Sequence, residues 1–159
     1  MKRLSIVLVC AVTIIYALSC SKHEDNNASC SGPKAITDST ALLAYAKTNG
    51  ITTTADTSWM YYQIINPGTG ASPNSSSIVF VRYAARLMDG TYVDSTATAT
   101  GFLLTNLIKG WQYGLPKIKA GGQIKLLVPS ALAYSCNGNG SSIPPNAPIY
   151  FNIYLDSLK

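Results

Sequence analysis

Histidine is all but missing from this sequence: the one residue of that type among 159 is His23. It stands in a run, residues 21–27, with no apolar side chain. Such a run cannot pack, so it reads as a flexible tether with His23 solvated in it. No Cys or His lies near it at ligand spacing, so no metal site is expected. Asp and Glu number only seven, and none cluster beyond Glu24 and Asp25 in that same tether. Acid–base machinery of the usual kind is therefore lacking. Basic residues number 12, for a formal charge of +5. Lys2 and Arg3 belong to a removable leader, which leaves ten against seven, a net +3 with no basic run. Nucleic acid is not an expected partner, and nothing calls for a cofactor.

Hydroxyl and amide side chains are plentiful instead, with ten tyrosines, a surface common in exported β-rich proteins. Residues 1–19 read as a secretion signal, with Lys2-Arg3 as the charged start and residues 4–18 as an apolar stretch too short for an ordinary membrane span. The stretch ends at Ala17-Leu18-Ser19-Cys20, which resembles the lipobox of bacterial lipoproteins. That resemblance implies lipidation at Cys20 and a firm anchor in the cell envelope, since several acyl chains hold where one is marginal. An ordinary signal peptide with an incidental cysteine is the plainer reading. Lys22 followed by Glu24-Asp25 resembles the surface-export signal of Bacteroidetes lipoproteins. Two cysteines remain, Cys30 and Cys136. In an oxidising compartment they form either a disulfide or two unpaired thiols. The bridge is favoured, because it would pin a segment that otherwise has little holding it; an unstrained loop of that length is worth about 4–5 kcal/mol in the chain-entropy model.

The expected organisation is a leader over residues 1–19, a tether over 20–36, a helix and linker over 37–58, and one domain over 59–159. The helix opens at Thr37 or Asp38 as its cap, buries Leu42, Tyr45 and Ala46, and ends before Gly50. Strands are expected over 59–65, 78–87, 91–94, 123–129 and 149–158. Asp89-Gly90 makes a hairpin between the second and third. Residues 95–101 read as a loop, and 130–148 as a long one. The last strand alternates Ile149, Phe151, Ile153 and Leu155 on one face. Between the sheet segments lies Leu107-Ile108-Lys109-Gly110-Trp111-Gln112-Tyr113-Gly114-Leu115, seven of whose nine residues are apolar or glycine. A helix this brief does not stand alone. It must lie against a sheet with Trp111 buried, and Gly114 with Pro116 supplies its stop. The fold class is α+β, an antiparallel sheet holding one short helix, with an N-terminal helical extension.

Several local patterns follow one order: Val81-Arg82-Tyr83, Asp89-Gly90-Thr91-Tyr92-Val93-Asp94-Ser95, Phe102, Leu107-Ile108-Lys109-Gly110-Trp111, Ala133-Tyr134, Ile143-Pro144-Pro145-Asn146 and Ile149-Tyr150-Phe151. Together they resemble the FKBP-type peptidyl-prolyl cis–trans isomerases, over residues 59–159. The resemblance implies a curved five-stranded antiparallel sheet wrapped around the short helix. It also implies an apolar site: Trp111 as the floor under a substrate proline, with Tyr83, Val93, Phe102, Leu107, Ile108, Ile143 and Phe151 as walls. The Ile108 N–H and the Tyr134 hydroxyl would hold substrate carbonyls, with Asp94 at the edge paired to Tyr83. Tyr83, Asp94, Ile108, Trp111 and Tyr134 are thus the candidate catalytic residues.

Simple core packing accounts equally well for Phe102, Leu107 and Phe151. Val93 stands where the family usually carries phenylalanine, and Ser135-Cys136 replaces an expected glycine. The function so implied is isomerisation of X–Pro bonds in proline-containing polypeptides, assisting the folding of exported proteins. The alternative is a non-catalytic binding module or chaperone on the same fold.

Overall fold

The structure, a computed structural model, describes residues 34–159, with side chains from Thr37 onward. Its centre is the strand whose alternation was plainest, β6 (Ile149–Leu158). Ile149, Phe151, Ile153 and Leu155 are all at most 4% exposed, as a strand buried on one face requires. Around it run β1 (Thr54–Ala55), β2 (Tyr61–Asn66), β3 (Ile78–Leu87), β4 (Tyr92–Leu103) and β5 (Gly122–Val128). The sheet is antiparallel throughout, in the order β1-β2-β5-β6-β3-β4. It thus has six strands rather than the five implied by the resemblance.

The chain crosses one face of the curved sheet as a 3₁₀ turn, Leu104–Asn106, then helix α2 (Lys109–Gly114), then a second 3₁₀ turn, Leu115–Lys117. Leu104, Trp111, Leu115 and Ile118 are buried there with Val79, Val81, Ile124, Leu126 and the inward residues of β6. No side chain caps α2. Instead the Gln112 amide donates to the carbonyls of Thr105 at 3.0 Å and Leu107 at 2.7 Å, pinning the entry to the helix. α2 ends at Gly114 as the sequence suggests, but without a left-handed turn: φ is −81°, and the chain tightens into the 3₁₀ turn Leu115–Lys117. Glycine is needed there for contact, because a Cβ would lie 2.5 Å from Leu126 Cδ1. Gly110 has the same reason, 2.4 Å from Val128 Cγ1. Two glycines one turn apart let α2 lie directly on β5.

The opposite face carries α1 (Lys34–Thr48). The expected stripe of Leu42, Tyr45 and Ala46 is buried with Ile51 against Leu127 and Tyr150. The Tyr45 and Tyr150 rings lie 5.1 Å apart. The helix starts about a turn earlier than its sequence suggested, so neither Thr37 nor Asp38 is its cap. Asp38 lies inside it and accepts two hydrogen bonds from Ser130, from the backbone N–H at 2.7 Å and the hydroxyl at 2.6 Å.

Two further expectations are corrected. β4 does not end at Asp94 but runs to Leu103, pairing Ser95, Thr96, Thr100 and Gly101 with β3. It reads as a loop because it is an edge strand, largely exposed and built of small polar residues. Thr96 and Thr98 also bond locally, Thr96 Oγ1 to the Thr98 carbonyl at 2.8 Å. Nor does β2 begin at Trp59. That residue is 54% exposed with φ at +67°, in a tight turn between β1 and β2. The Asp56 carboxylate organises the turn, accepting from the Ser58 N–H at 2.9 Å and hydroxyl at 2.5 Å, and pairing with Lys117 Nζ at 2.6 Å.

Burial alone would raise the Asp56 pKa, but Lys117 and Ser58 outweigh it and hold the carboxyl at about 2 against an ordinary 3.8. The folded value lies below the unfolded one, so this clamp stabilises fully above about pH 4 and fades as pH falls towards 2. A shift of this size corresponds to about 2 kcal/mol. Urea midpoints of the protein and of Asp56→Asn should therefore differ by a constant amount at neutral pH and converge near pH 2. A gap that does not change with pH would refute the assignment.

Candidate active site

Five parts of the fold meet at a cavity of about 250 Å³ on the face that carries α2. β3 supplies Tyr83, β4 supplies Asp94 and Phe102, and β6 supplies Phe151. The stretch running into α2 supplies Asn106, Leu107, Ile108 and, from the helix itself, Trp111, and the loop after β5 supplies Tyr134. Trp111 is 4% exposed. Tyr83 meets its ring edge-on at 5.1 Å and Phe151 at 5.4 Å, both within a few degrees of perpendicular. Phe102 stands against Tyr83 at 6.5 Å. Such T-shaped contacts hold aromatic side chains in fixed relative positions.

The polar groups are few and specific. The Tyr83 hydroxyl donates to Asp94 Oδ2 at 2.5 Å. Burial, and then the Asp94 carboxylate beside it, push the Tyr83 pKa well up. Burial followed by the charge of Asp94 also raises Tyr134, against a contrary hydrogen bond to Asn139. Both phenols therefore stay neutral at physiological pH; the Tyr83 proton is committed to Asp94, and the Tyr134 hydroxyl remains available as a donor. Ile108 precedes α2, and its carbonyl accepts from the Trp111 N–H at 3.0 Å and the Gln112 N–H at 3.2 Å. Its own N–H meets no acceptor among the described residues. The buried Trp111 Nε1 likewise has no partner there. The cavity thus combines apolar walls with unclaimed donors, which suits a ligand with an apolar ring flanked by carbonyls.

Of the residues named from sequence, Tyr83, Asp94, Phe102, Leu107, Ile108, Trp111, Tyr134 and Phe151 line this cavity. Val93 and Ile143 do not. Val93 is half-buried against the core, and Ile143 is fully packed into it. Ile143 also pairs with Asn139 across the loop, through N–H···O bonds of 2.8 and 3.2 Å, so its role is to close the loop that carries Tyr134. Asn106 was missed; nothing distinguishes it in sequence except that it precedes Leu107. Ser135, standing where glycine was expected, has φ at +50°, the left-handed conformation that glycine adopts freely. Cys136 is disulfide-bonded. The proposed partner Cys30, like the lipidation candidate Cys20, lies outside the described residues.

The sequence model of the FKBP-type peptidyl-prolyl cis-trans isomerases matches residues 70–156. The chain belongs to this family. Among its relatives is the probable FKBP-type peptidyl-prolyl cis-trans isomerase FkpA of Neisseria meningitidis, 40% identical over 117 residues, which are 72% of this chain and 42% of that protein. Another is the outer membrane protein MIP of Legionella longbeachae, 40% identical over 105 residues, or 64% of this chain and 45% of that protein. The chain therefore spans less than half the length of these relatives. A crystal structure of a peptidyl-prolyl cis-trans isomerase from Pseudomonas syringae superposes with a TM-score of 0.69 at 29% identity. The match covers 81% of this chain and 98% of that one, so the FKBP fold is shared across almost the whole described region.

Proposed function

We propose that this FKBP chain is a peptidyl-prolyl cis–trans isomerase acting on proline-containing segments of exported polypeptides, with the cavity over Trp111 as its active site. The observation that carries the reading is the aromatic box of Tyr83, Phe102, Trp111 and Phe151 closed around a free backbone donor at Ile108.

The chemistry asks for little else. Rotation about a peptide bond meets a barrier of about 18–20 kcal/mol, and uncatalysed X–Pro exchange takes tens to hundreds of seconds. The transition state is a twisted amide that has lost its resonance, with a less polar carbonyl than the planar ground state. A water-poor apolar cavity favours the twisted form differentially. In this reading the proline ring rests on Trp111 between Tyr83 and Phe151. The Ile108 N–H and the Tyr134 hydroxyl bind the carbonyls on either side and fix the ends about which the bond turns. Asp94 holds Tyr83 in place through its hydroxyl. No proton moves.

Anchoring to the envelope through Cys20 belongs to the same proposal. It is supported by the lipobox-like sequence and by the outer-membrane name of the Legionella relative. Exchange NMR of a short Xaa-Leu-Pro-Phe peptide tests the enzymatic reading. The protein should raise the cis–trans exchange rate above that in buffer at catalytic concentrations. A folded protein that leaves the rate at the buffer value would overturn it.

A further inference from the structure

On the sheet face opposite the Trp111 cavity, between α1 and the strands, lies a second pocket of about 230 Å³. Its lining is unlike the first. Arg86 of β3 and Lys125 of β5 flank β6, in register with Tyr150 and Asn152 respectively. Neither cation meets a carboxylate among the described residues, where the two ion pairs are Arg82–Asp156 and Lys117–Asp56. No acidic residue lines the pocket. Two cations brought to one concavity without an anion repel each other, and that cost is recovered when an anion binds between them.

The other polar groups are donors or can serve as donors. The Asn152 carbonyl oxygen already accepts from Gln123 Nε2 at 2.9 Å, so its NH₂ is the group left over. Asn49, just past the end of α1, and the hydroxyls of Tyr45 and Tyr150 complete the wall. Burial raises both phenols, the latter to about 12, so they remain protonated. Arg86 is also held in place. Its guanidinium lies over the Tyr92 ring, 3.9 Å from the centroid, and donates to the Tyr92 hydroxyl. A guanidinium stacked in this way is pre-organised, unlike a solvated surface arginine.

We propose that this pocket is a binding site for a phosphate group. Two positive charges, one of them held in place, match a dianion, and donors arriving from α1, β3, β5 and β6 outnumber what the two oxygens of a carboxylate would absorb. The volume admits a phosphate and a small substituent, not an extended polymer. The phosphate reaches the site on a soluble phosphorylated metabolite or on a phospholipid headgroup. Both share the chemistry the pocket recognises.

Titration calorimetry with inorganic phosphate and with glycerol 3-phosphate, at ionic strength matched with chloride, tests the site. Binding should be saturable, and Arg86→Gln or Lys125→Gln should each weaken it by about tenfold or more. Both variants should keep the thermal midpoint and the peptide exchange rate of the parent to show that the fold is intact. Sedimentation with phosphatidylcholine vesicles carrying phosphatidic acid separates the two sources. Capture that the Arg86→Gln, Lys125→Gln double variant loses assigns the phosphate to lipid, and binding of the soluble esters without capture assigns it to a metabolite. Phosphate that behaves like chloride, or binding that the folded double variant retains, overturns the proposal.

Discussion

Trp111→Ala should reduce peptide isomerisation by about a hundredfold, which is about 2.7 kcal/mol of differential transition-state stabilisation. The same substitution should destabilise the domain by about 3–5 kcal/mol. Both effects come from one side chain, because the indole is at once the floor of the cavity and a member of the main core beside Leu115, Ile124 and Leu126. Losing it also removes the edge-on partners of Tyr83 and Phe151, so the walls lose their fixed spacing. Since alanine endangers the fold itself, Trp111→Leu is the companion variant. It refills most of the volume with apolar atoms and should fold with a smaller loss of stability. It still lacks a flat surface for a proline ring, so its exchange rate should fall by about tenfold. Rates near those of the parent in a folded Trp111→Leu protein would show that Trp111 serves packing alone.

What was legible in the sequence depended on the range of the forces involved. β6 could be read because alternate residues meet one core, a local periodic signal that survives in Ile149, Phe151, Ile153 and Leu155. α1 announced its buried face for the same reason, at helical spacing. The site residues were legible only as an ordered set of short patterns, and eight of them do line one cavity. Where a residue answers to something distant, the local signal misled. Gly114 does end α2, but what demands glycine there is Leu126, on a strand formed later in the chain, and not a left-handed cap. The stretch from Ser95 to Gly101 looks like a loop because an edge strand has nothing apolar to bury on its exposed side. Trp59 has the composition of a strand residue, but the carboxylate of Asp56 holds the turn beside it. The phosphate pocket left no signal at all, since its residues come from α1, four strands and the turn after α1, and none forms a motif.

Asp38 shows how such a distant contact can bear on the site. It reaches across 92 residues to Ser130, which is fully buried and opens the loop that carries Tyr134. Asp38→Ala would leave the Ser130 N–H and hydroxyl buried without an acceptor. Two such groups cost about 1–3 kcal/mol each, so the domain should lose about 3 kcal/mol, second only to Trp111→Ala. The loop should also loosen at its first turn. As a positioning residue Asp38 touches no substrate, so the exchange assay should register the change chiefly as a higher KM, through a Tyr134 hydroxyl less often in place to hold a carbonyl. Asp38→Asn keeps one carbonyl oxygen in the same position and should restore most of both properties. That rescue distinguishes a hydrogen-bonded latch from mere helix packing. Equal damage from asparagine and alanine would mean that the carboxylate's charge carries the contact. An unchanged KM in a folded Asp38→Ala protein would mean that α1 stabilises the sheet without governing the site.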